Sequence, residues 1–388
     1  MGQGNNDIGK LRNRPIMDGR AARVVPPENL LHARQGGAAG RCGPGFENAS
    51  CDEGYCCSPS QWCGKGGDFC MAPDCLFNFG PGCDANQLPS GGSTAQIARP
   101  KLGNQFYGGE GIYACTAPNK IAITYDDGPF IYTSGVLDQF AKYGAKATFF
   151  VTGINLKKGA IDDKSTAWPS IIRRMDAEGH QVASHTWSHQ DLSAITKKQR
   201  YDQMVKNEMA ISNILGKFPT YMRPPYSSCT PGSGCQQDMA DLGYVVSYFN
   251  LDTDDYNNVT PEKIQNAKDR VNGIIQPSNS QTDSFHAIAH DIHQQTAQNL
   301  TGYMLEIMTK KGYKMVTLGE CMGEPKANWY RPAANRVATS SAFIAPRSEP
   351  TPVGYGYDES TPSEAMVTPT ATTIDGSYGH ENSTAYLS

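Results

Sequence analysis

The chain has 388 residues, 34 Lys and Arg against 38 Asp and Glu, a net charge of −4, and 40 Gly with 25 Pro. That length accommodates one large domain and at least one smaller unit. The near balance of charge gives no basic field to gather nucleic acid, and no apolar run reaches the roughly 18 residues of a membrane span.

In chain order, residues 1–41 are polar, rich in Gly and Arg and without periodicity, which predicts disorder. They lack the apolar stretch of a signal peptide, so the start reads as an incomplete or misassigned N-terminus. Eight of the twelve cysteines follow within 42–83. An even number in a segment too short to bury a core predicts a disulfide-stapled module from an oxidising compartment. A zinc knuckle is the rival reading, but paired C-x₂-C spacing and histidine are both missing there. Residues 84–111 break repeatedly at Gly, Ser and Pro and read as a flexible linker, with the module expected to contribute nothing to a distant reaction centre.

From 112 to 325 short apolar runs alternate with amphipathic segments. Strands are expected at 121–125, 147–152, 181–184, 221–223, 244–250, 285–290 and 314–318. Helices are expected to stop at Gly179, Gly216, Gly243 and Gly312, and one is expected to start at Thr260-Pro261. Seven β-then-α units imply an α/β fold with a parallel sheet. A (β/α) barrel is preferred over an open sheet because polar residues cluster just past the strand ends. Residues 326–388 form a tail rich in Ser, Thr and Pro, resembling an O-glycosylated stalk. It ends without the hydrophobic stretch of a GPI signal. Sequons at Asn48, Asn258, Asn299 and Asn382 fit secretion.

The strand ends carry the chemistry. The first offers Asp126-Asp127-Gly-Pro, which alone could be a solvated Asx turn. The third offers His185 and His189, four apart and able to face one metal; the H-E-x-x-H alternative fails because position 186 is Thr. Arg223-Pro-Pro-Tyr226, Asp252-Thr-Asp-Asp255-Tyr256 and Ile288-Ala-His290 follow in order. Asp127, His185 and His189 would supply three ligands and leave a position open, the layout of a catalytic metal site. Asp126 and His290 remain for proton transfer, the equipment of a metal-assisted hydrolase.

Five segments, TYDDGP, HTWSH, RPPY, DTDDY and IAH, make residues 112–325 resemble the polysaccharide deacetylases of carbohydrate esterase family 4, the NodB homology group, and its fungal chitin deacetylases most of all. Tyr125 and Ile288 stand where the family has Phe and Leu. The resemblance implies a distorted (β/α) barrel, with zinc, or cobalt in its place, on Asp127, His185 and His189. It implies Asp126 as general base paired with Arg223, and His290 as general acid oriented by Asp255. It also implies an oxyanion contact from the Tyr226 backbone N–H, and substrate contacts from Tyr226, Tyr256 and Ile288. His180 and His293 read as structural or supporting residues.

The cysteine module resembles a hevein-type chitin-binding domain through its adjacent Cys pair and its CCS…WCG core. That resemblance implies bridges Cys42–Cys57, Cys51–Cys63, Cys56–Cys70 and Cys75–Cys83, with sugar contacts from Ser58, Trp62 and Phe69. Ser60 replaces the middle aromatic. Cys115 and Cys321 bracket the barrel and would tie its ends, while Cys229 and Cys235 would staple a loop after RPPY. The implied protein is a monomeric, secreted or wall-bound deacetylase of chitin or GlcNAc oligomers. Peptidoglycan or acetylxylan as substrate, or a chitin-binding lectin with an inactive barrel, remain as alternatives.

Overall fold

The structure is a computed structural model and describes residues 40–333. The polar start, the sequon at Asn382 and the Ser/Thr/Pro-rich stretch lie outside the described residues. Within 42–83, β1 (Cys56–Cys57) pairs antiparallel with β2 (Cys63–Gly64), followed by one helical turn, α1 (Gly67–Cys70). Disulfides Cys42–Cys57, Cys51–Cys63, Cys56–Cys70 and Cys75–Cys83 form the interior of this unit, the substitute for a core in so short a segment.

The large domain begins with β3 (Lys120–Asp126) and α2 (Thr133–Lys142). Then come β4 (Ala147–Val151), α3 (Trp168–Ala177), β5 (Gln181–Ser184) and α4 (Lys197–Leu215). The helices pack by ordinary amphipathicity: α2 buries Val136, Leu137 and Phe140 at helical spacing. A capping box between Thr196 and Gln199 starts α4, and Gly216 ends it in the left-handed conformation. The chain continues through β6 (Lys217–Pro219), β7 (Tyr221–Met222), α5 (Cys235–Asp241), β8 (Val245–Val246), β9 (Leu251–Asp252) and α6 (Ile264–Ile275). It closes with β10 (Phe285–His290), α7 (Thr301–Lys310), β11 (Lys314–Met315), α8 (Leu318–Cys321) and β12 (Tyr330–Pro332).

Eight parallel strands run β8-β7-β5-β4-β3-β10-β9, with β11 added to β3. The sheet curls into an incompletely closed barrel, because β8 and β9 at its two ends do not pair. The strand expected at 244–250 is divided between those ends. Val245 and Ser247 donate their N–H groups to Thr220 and Met222, whereas Asn250 donates to His286, so the chain crosses the gap in the barrel between them. The helix expected from Thr260-Pro261 starts at Ile264; residues 261–263 form a turn whose last N–H returns to the Thr260 carbonyl. Disulfides Cys115–Cys321 and Cys229–Cys235 tie the large domain's ends and the loop before α5.

Two expected boundaries differ. Residues 326–333 belong to the domain rather than to a tail: β12 pairs with β6, and the Tyr330 hydroxyl accepts the Val182 N–H at 2.8 Å inside the core. Residues 84–111 are laid along the domain instead of hanging free. Arg99 forks onto both oxygens of Glu208 at 2.6 and 2.7 Å, and Thr94 and Tyr244 donate to the same carboxylate, which is fully buried. Gly108 passes so close to α5 that a Cβ there would lie 2.2 Å from the Gln236 carbonyl. These contacts were invisible in the sequence because both Arg99 and Glu208 sit in segments of ordinary polar composition. Asn258 is also buried, with its amide donating to the Asp254 carbonyl, so this sequon has no room for a glycan.

Glu208→Ala would leave the Arg99 guanidinium without its counter-charge, and breaking a buried pair on one side costs about 3–5 kcal/mol. The expected outcome is a lowered denaturation midpoint together with new protease cleavage between residues 84 and 111. An unchanged cleavage pattern would contradict the assigned role of this pair in fixing the segment.

Candidate active site

Parallel pairing sets the site. His290 on β10 stands directly beside Asp126 on β3, and Asp126 in turn beside Phe150 on β4. At about 4.8 Å per strand spacing, the carboxylate and the imidazole issue from neighbouring strand ends. Next along, β5 delivers His185 and His189, and β7 delivers Arg223.

Asp127 takes a left-handed backbone conformation (φ 73), as do Thr186 and His189 (φ 70 and 55). Such conformations are costly for residues with side chains and cluster where function requires a fixed geometry. They bring Asp127 Oδ1 to 3.1 Å from His189 Nε2 and 3.5 Å from His185 Nε2. His185 Nδ1 lies 2.7 Å from the Arg223 carbonyl, which fixes the proton on that nitrogen and leaves the Nε2 lone pair aimed at the cluster. Asp127 Oδ1 is buried without a hydrogen-bond donor. One ligand atom from each of Asp127, His185 and His189 lies within 4.8 Å of the others. A buried carboxylate oxygen facing two imidazole nitrogens fits a divalent cation. Burial alone would raise the Asp127 carboxyl, but His189, His185 and His290 hold it far below the usual range; burial pushes His185 down to about 4.

Asp126 is buried beside this cluster, its Oδ1 held at 2.8 Å by Arg223 and its Oδ2 3.9 Å from His185 Nε2. Opposite, His290 Nδ1 meets Asp255 Oδ1 at 2.8 Å, and its backbone N–H meets the other oxygen at 2.7 Å. Thr253 and Thr296 also donate to Asp255, which is fully buried. Burial would lower His290, yet Asp255 more than reverses this by charge and hydrogen bond, raising it to about 10.

The Tyr226 ring is half exposed and turns its edge toward His189, centroids 4.7 Å apart. Tyr256 stands edge-on to His290 at 5.5 Å and donates to Asp252, and buried Ile288 lies two residues below His290 on β10. His180 is buried with Nδ1 accepting the Ala147 N–H, and His293 stands 6.0 Å from His290.

In the small module, buried Ser58 accepts the Trp62 N–H, and half-buried Phe69 packs over Gly64. Trp62 is covered on one side by the Arg41 guanidinium, 4.3 Å from its ring and 3.8 Å from that of Phe46. Sequence reasoning passed over Phe46.

It also passed over Lys158 and Asp291. The Lys158 ammonium, lowered to about 7 by burial, donates to the carbonyls of Asp127 and Gly128 at 2.7 and 3.0 Å. Burial raises Asp291 to about 7; it accepts from Thr133 and packs so tightly on Gly128 that a Cβ there would meet its oxygen at 2.4 Å. For Asp291 its place directly after His290 was a usable signal; for Lys158 there was none.

A parallel barrel with carboxylates, imidazoles and a guanidinium converging on a cation-compatible cluster defines a hydrolase of the metal-assisted type. Residues 113–247 match the family described as Polysaccharide deacetylase. A chitin deacetylase of Colletotrichum lindemuthianum is 41% identical over 234 residues, covering 60% of this chain and 92% of the relative. An Arthroderma benhamiae protein described as a probable peptidoglycan-N-acetylglucosamine deacetylase is 39% identical over 239 residues, 61% of this chain and 52% of that one. The solved structure of the chitin deacetylase from Colletotrichum lindemuthianum superposes with a TM-score of 0.52 at 40% identity, covering 57% of this chain and 95% of that chain. The chain belongs to the polysaccharide deacetylase family, whose members are carbohydrate esterases.

Asp127→Ala should abolish metal retention if the cluster holds a cation, because it removes the carboxylate oxygen that both histidines face. Asp126→Asn should retain metal close to wild type, since its Oδ1 is engaged by Arg223. Metal content per chain after dialysis measures both, and equal loss in the two variants would overturn the division between them.

Proposed function

We propose that the protein removes N-acetyl groups from chitin, a β-1,4-linked GlcNAc polymer, giving chitosan and acetate. Its site would hold zinc on Asp127, His185 and His189. The observation that carries this reading is the placing of Asp126 and His290 side by side on adjacent strand ends next to that cluster, each with its own fixed partner. The disulfides support a secreted or wall-bound setting, and the protein is taken to act there as a monomer.

When bound, the cation supplies Lewis acidity, lowering the pKa of water and polarising the acetyl carbonyl. Asp126 serves as general base through the carboxylate oxygen that Arg223 leaves free, taking a proton from the attacking water. The Tyr226 backbone N–H is offered to the developing oxyanion. His290, protonated at neutral pH, gives its Nε2 proton to the amide nitrogen as the C–N bond breaks, releasing acetate and the free amine. Asp255 holds that imidazolium by its Nδ1–H. Ile288 contributes apolar surface for the acetyl methyl, and Tyr256 flanks the acid. Trp62 and Phe69, with Ser58, would contact chitin through the hevein-like module, Trp62 by the ring face that Arg41 leaves uncovered. Peptidoglycan is the second reading, favoured by the Arthroderma relative; the hevein-like module directs the choice to chitin.

Acetate release from soluble chitin oligomers should cease on chelation and return with zinc or cobalt; full activity after exhaustive chelation would sink the assignment. His290→Ala should lower kcat by about 10²–10⁴, the usual worth of a general acid, with metal content unchanged. Asp255→Asn should bring the alkaline limb of kcat against pH down toward neutral. With its pKa raised from 6.5 to about 10, the His290 pair stabilises the fold fully below about 6.5 and ceases to do so as pH rises through about 10. The wild type should accordingly lose stability over that window and Asp255→Asn should not. Trp62→Ala should lower activity on colloidal chitin modestly.

A further inference from the structure

The module does not hang beside the barrel; it is seated on two loops of the reaction centre. The Ala72 carbonyl accepts the Leu156 N–H at 3.4 Å, and Asp68 pairs with Lys157 at 3.4 Å. Leu156 and Lys157 are consecutive residues with side chains in the left-handed conformation (φ 53 and 57), a strained arrangement. The very next residue is Lys158, whose buried ammonium clasps the carbonyls of Asp127 and Gly128. On the other loop, the Gln190 amide spans the Pro73 carbonyl of the module at 3.1 Å and the Ser188 carbonyl at 3.3 Å, enclosing His189. Asn78 accepts from Gln199 at 2.5 Å, at the start of α4. Each module contact with these two loops therefore falls within two residues of a group that holds or clasps a proposed metal ligand.

We infer that residues 67–78 of the small module are a positioning element for the metal centre, holding the 155–158 and 188–190 loops so that module and barrel act as one body. The inference rests on the reading of Asp127, His185 and His189 as metal ligands. It reverses the expectation of a free tether: undocking the module slackens the strained loop, Lys158 loses its purchase on the Asp127 turn, and the site weakens toward soluble and solid substrates alike.

The test uses the full chain loaded with zinc. Asp68→Lys/Asn78→Lys places cations against Lys157 and beside Gln199 at two exposed positions, leaving the disulfides and the module interior untouched. Asp52→Lys/Glu53→Gln makes the same charge change, three units toward positive, at exposed positions away from these contacts. Zinc affinity is read by competition with a chelator, beside kcat/KM on a soluble chitin tetramer. A surface pair is worth about 0.2–1 kcal/mol, and reversing one while losing the Asn78 bond should weaken zinc binding about threefold to tenfold. The tetramer rate should fall with it, the 52/53 variant should match wild type, and adding Lys157→Asp to the docking variant should recover affinity. Unchanged zinc affinity in the docking variant overturns the proposal, as does an equal loss in the 52/53 variant or a loss that Lys157→Asp does not recover. A wild type that binds zinc but releases no acetate from any oligomer would defeat the deacetylase reading and leave the affinity comparison standing.

Discussion

The Arg223 guanidinium, 1% exposed at the mouth of the barrel, is the constraint on which the site depends. Its nitrogens donate to Thr124 and Asp126 on β3 and to the carbonyls of Ser247 and Tyr248 after β8, and its plane lies 4.2 Å from the Phe150 ring on β4. Its own carbonyl orients His185. One buried charge thus fixes the orientation of a carboxylate, the tautomer of a proposed ligand and the spacing of strands on both sides. Burial lowers the Arg223 pKa, and the adjacent Asp126 opposes that. A lone carboxylate or a lone guanidinium would be far too costly in this place; together, with all three guanidinium nitrogens engaged, they hold a polar centre inside an apolar barrel.

Around this centre the same logic recurs at lower intensity. Asp255 is buried only because His290, Thr253 and Thr296 fill its lone pairs, and Glu208 only because Arg99, Thr94 and Tyr244 do. The first network fixes His290, the acid of the proposed reaction. The second has no chemistry to perform, but it pins residues 84–111 to α4, and with that segment shortened to a fixed path the disulfide-rich unit is kept against the domain. Lys206, two residues before Glu208 on α4, continues the line by donating to the Ala85 carbonyl at 2.9 Å.

The groups proposed for the reaction and those proposed to choose the substrate are different residues, but the small module bears on both, because it carries aromatic rings and is seated on the 155–158 and 188–190 loops. Nothing in Asp126, Asp127 or the histidines at the barrel's strand ends, the groups proposed for acetamide hydrolysis, distinguishes chitin from peptidoglycan. On the proposed function, that distinction falls to surfaces around the centre: the rings of Tyr226 and Tyr256, and the aromatic residues of the small module.

The sequence by itself determined the parallel β/α order and the succession of the candidate site residues along the strand ends, because these are local: strand periodicity, turn residues and short motifs are written within a few positions of one another. Arg223 and Asp126 could be paired on paper because each sits in a recognisable motif. What only the tertiary structure decided is what depends on meeting across the chain. The division of 244–250 between the two open ends of the barrel follows from which strands those residues reach, and residues 326–333 joined the domain because β6 offered an edge to Tyr330–Pro332. Arg99 and Glu208 are 109 positions apart, and Lys158 and Asp127 are 31 apart, with nothing in either neighbourhood to mark the pairing. Burial turns such ordinary surface-type residues into structural ones, and burial is a property of the folded chain, not of the segment.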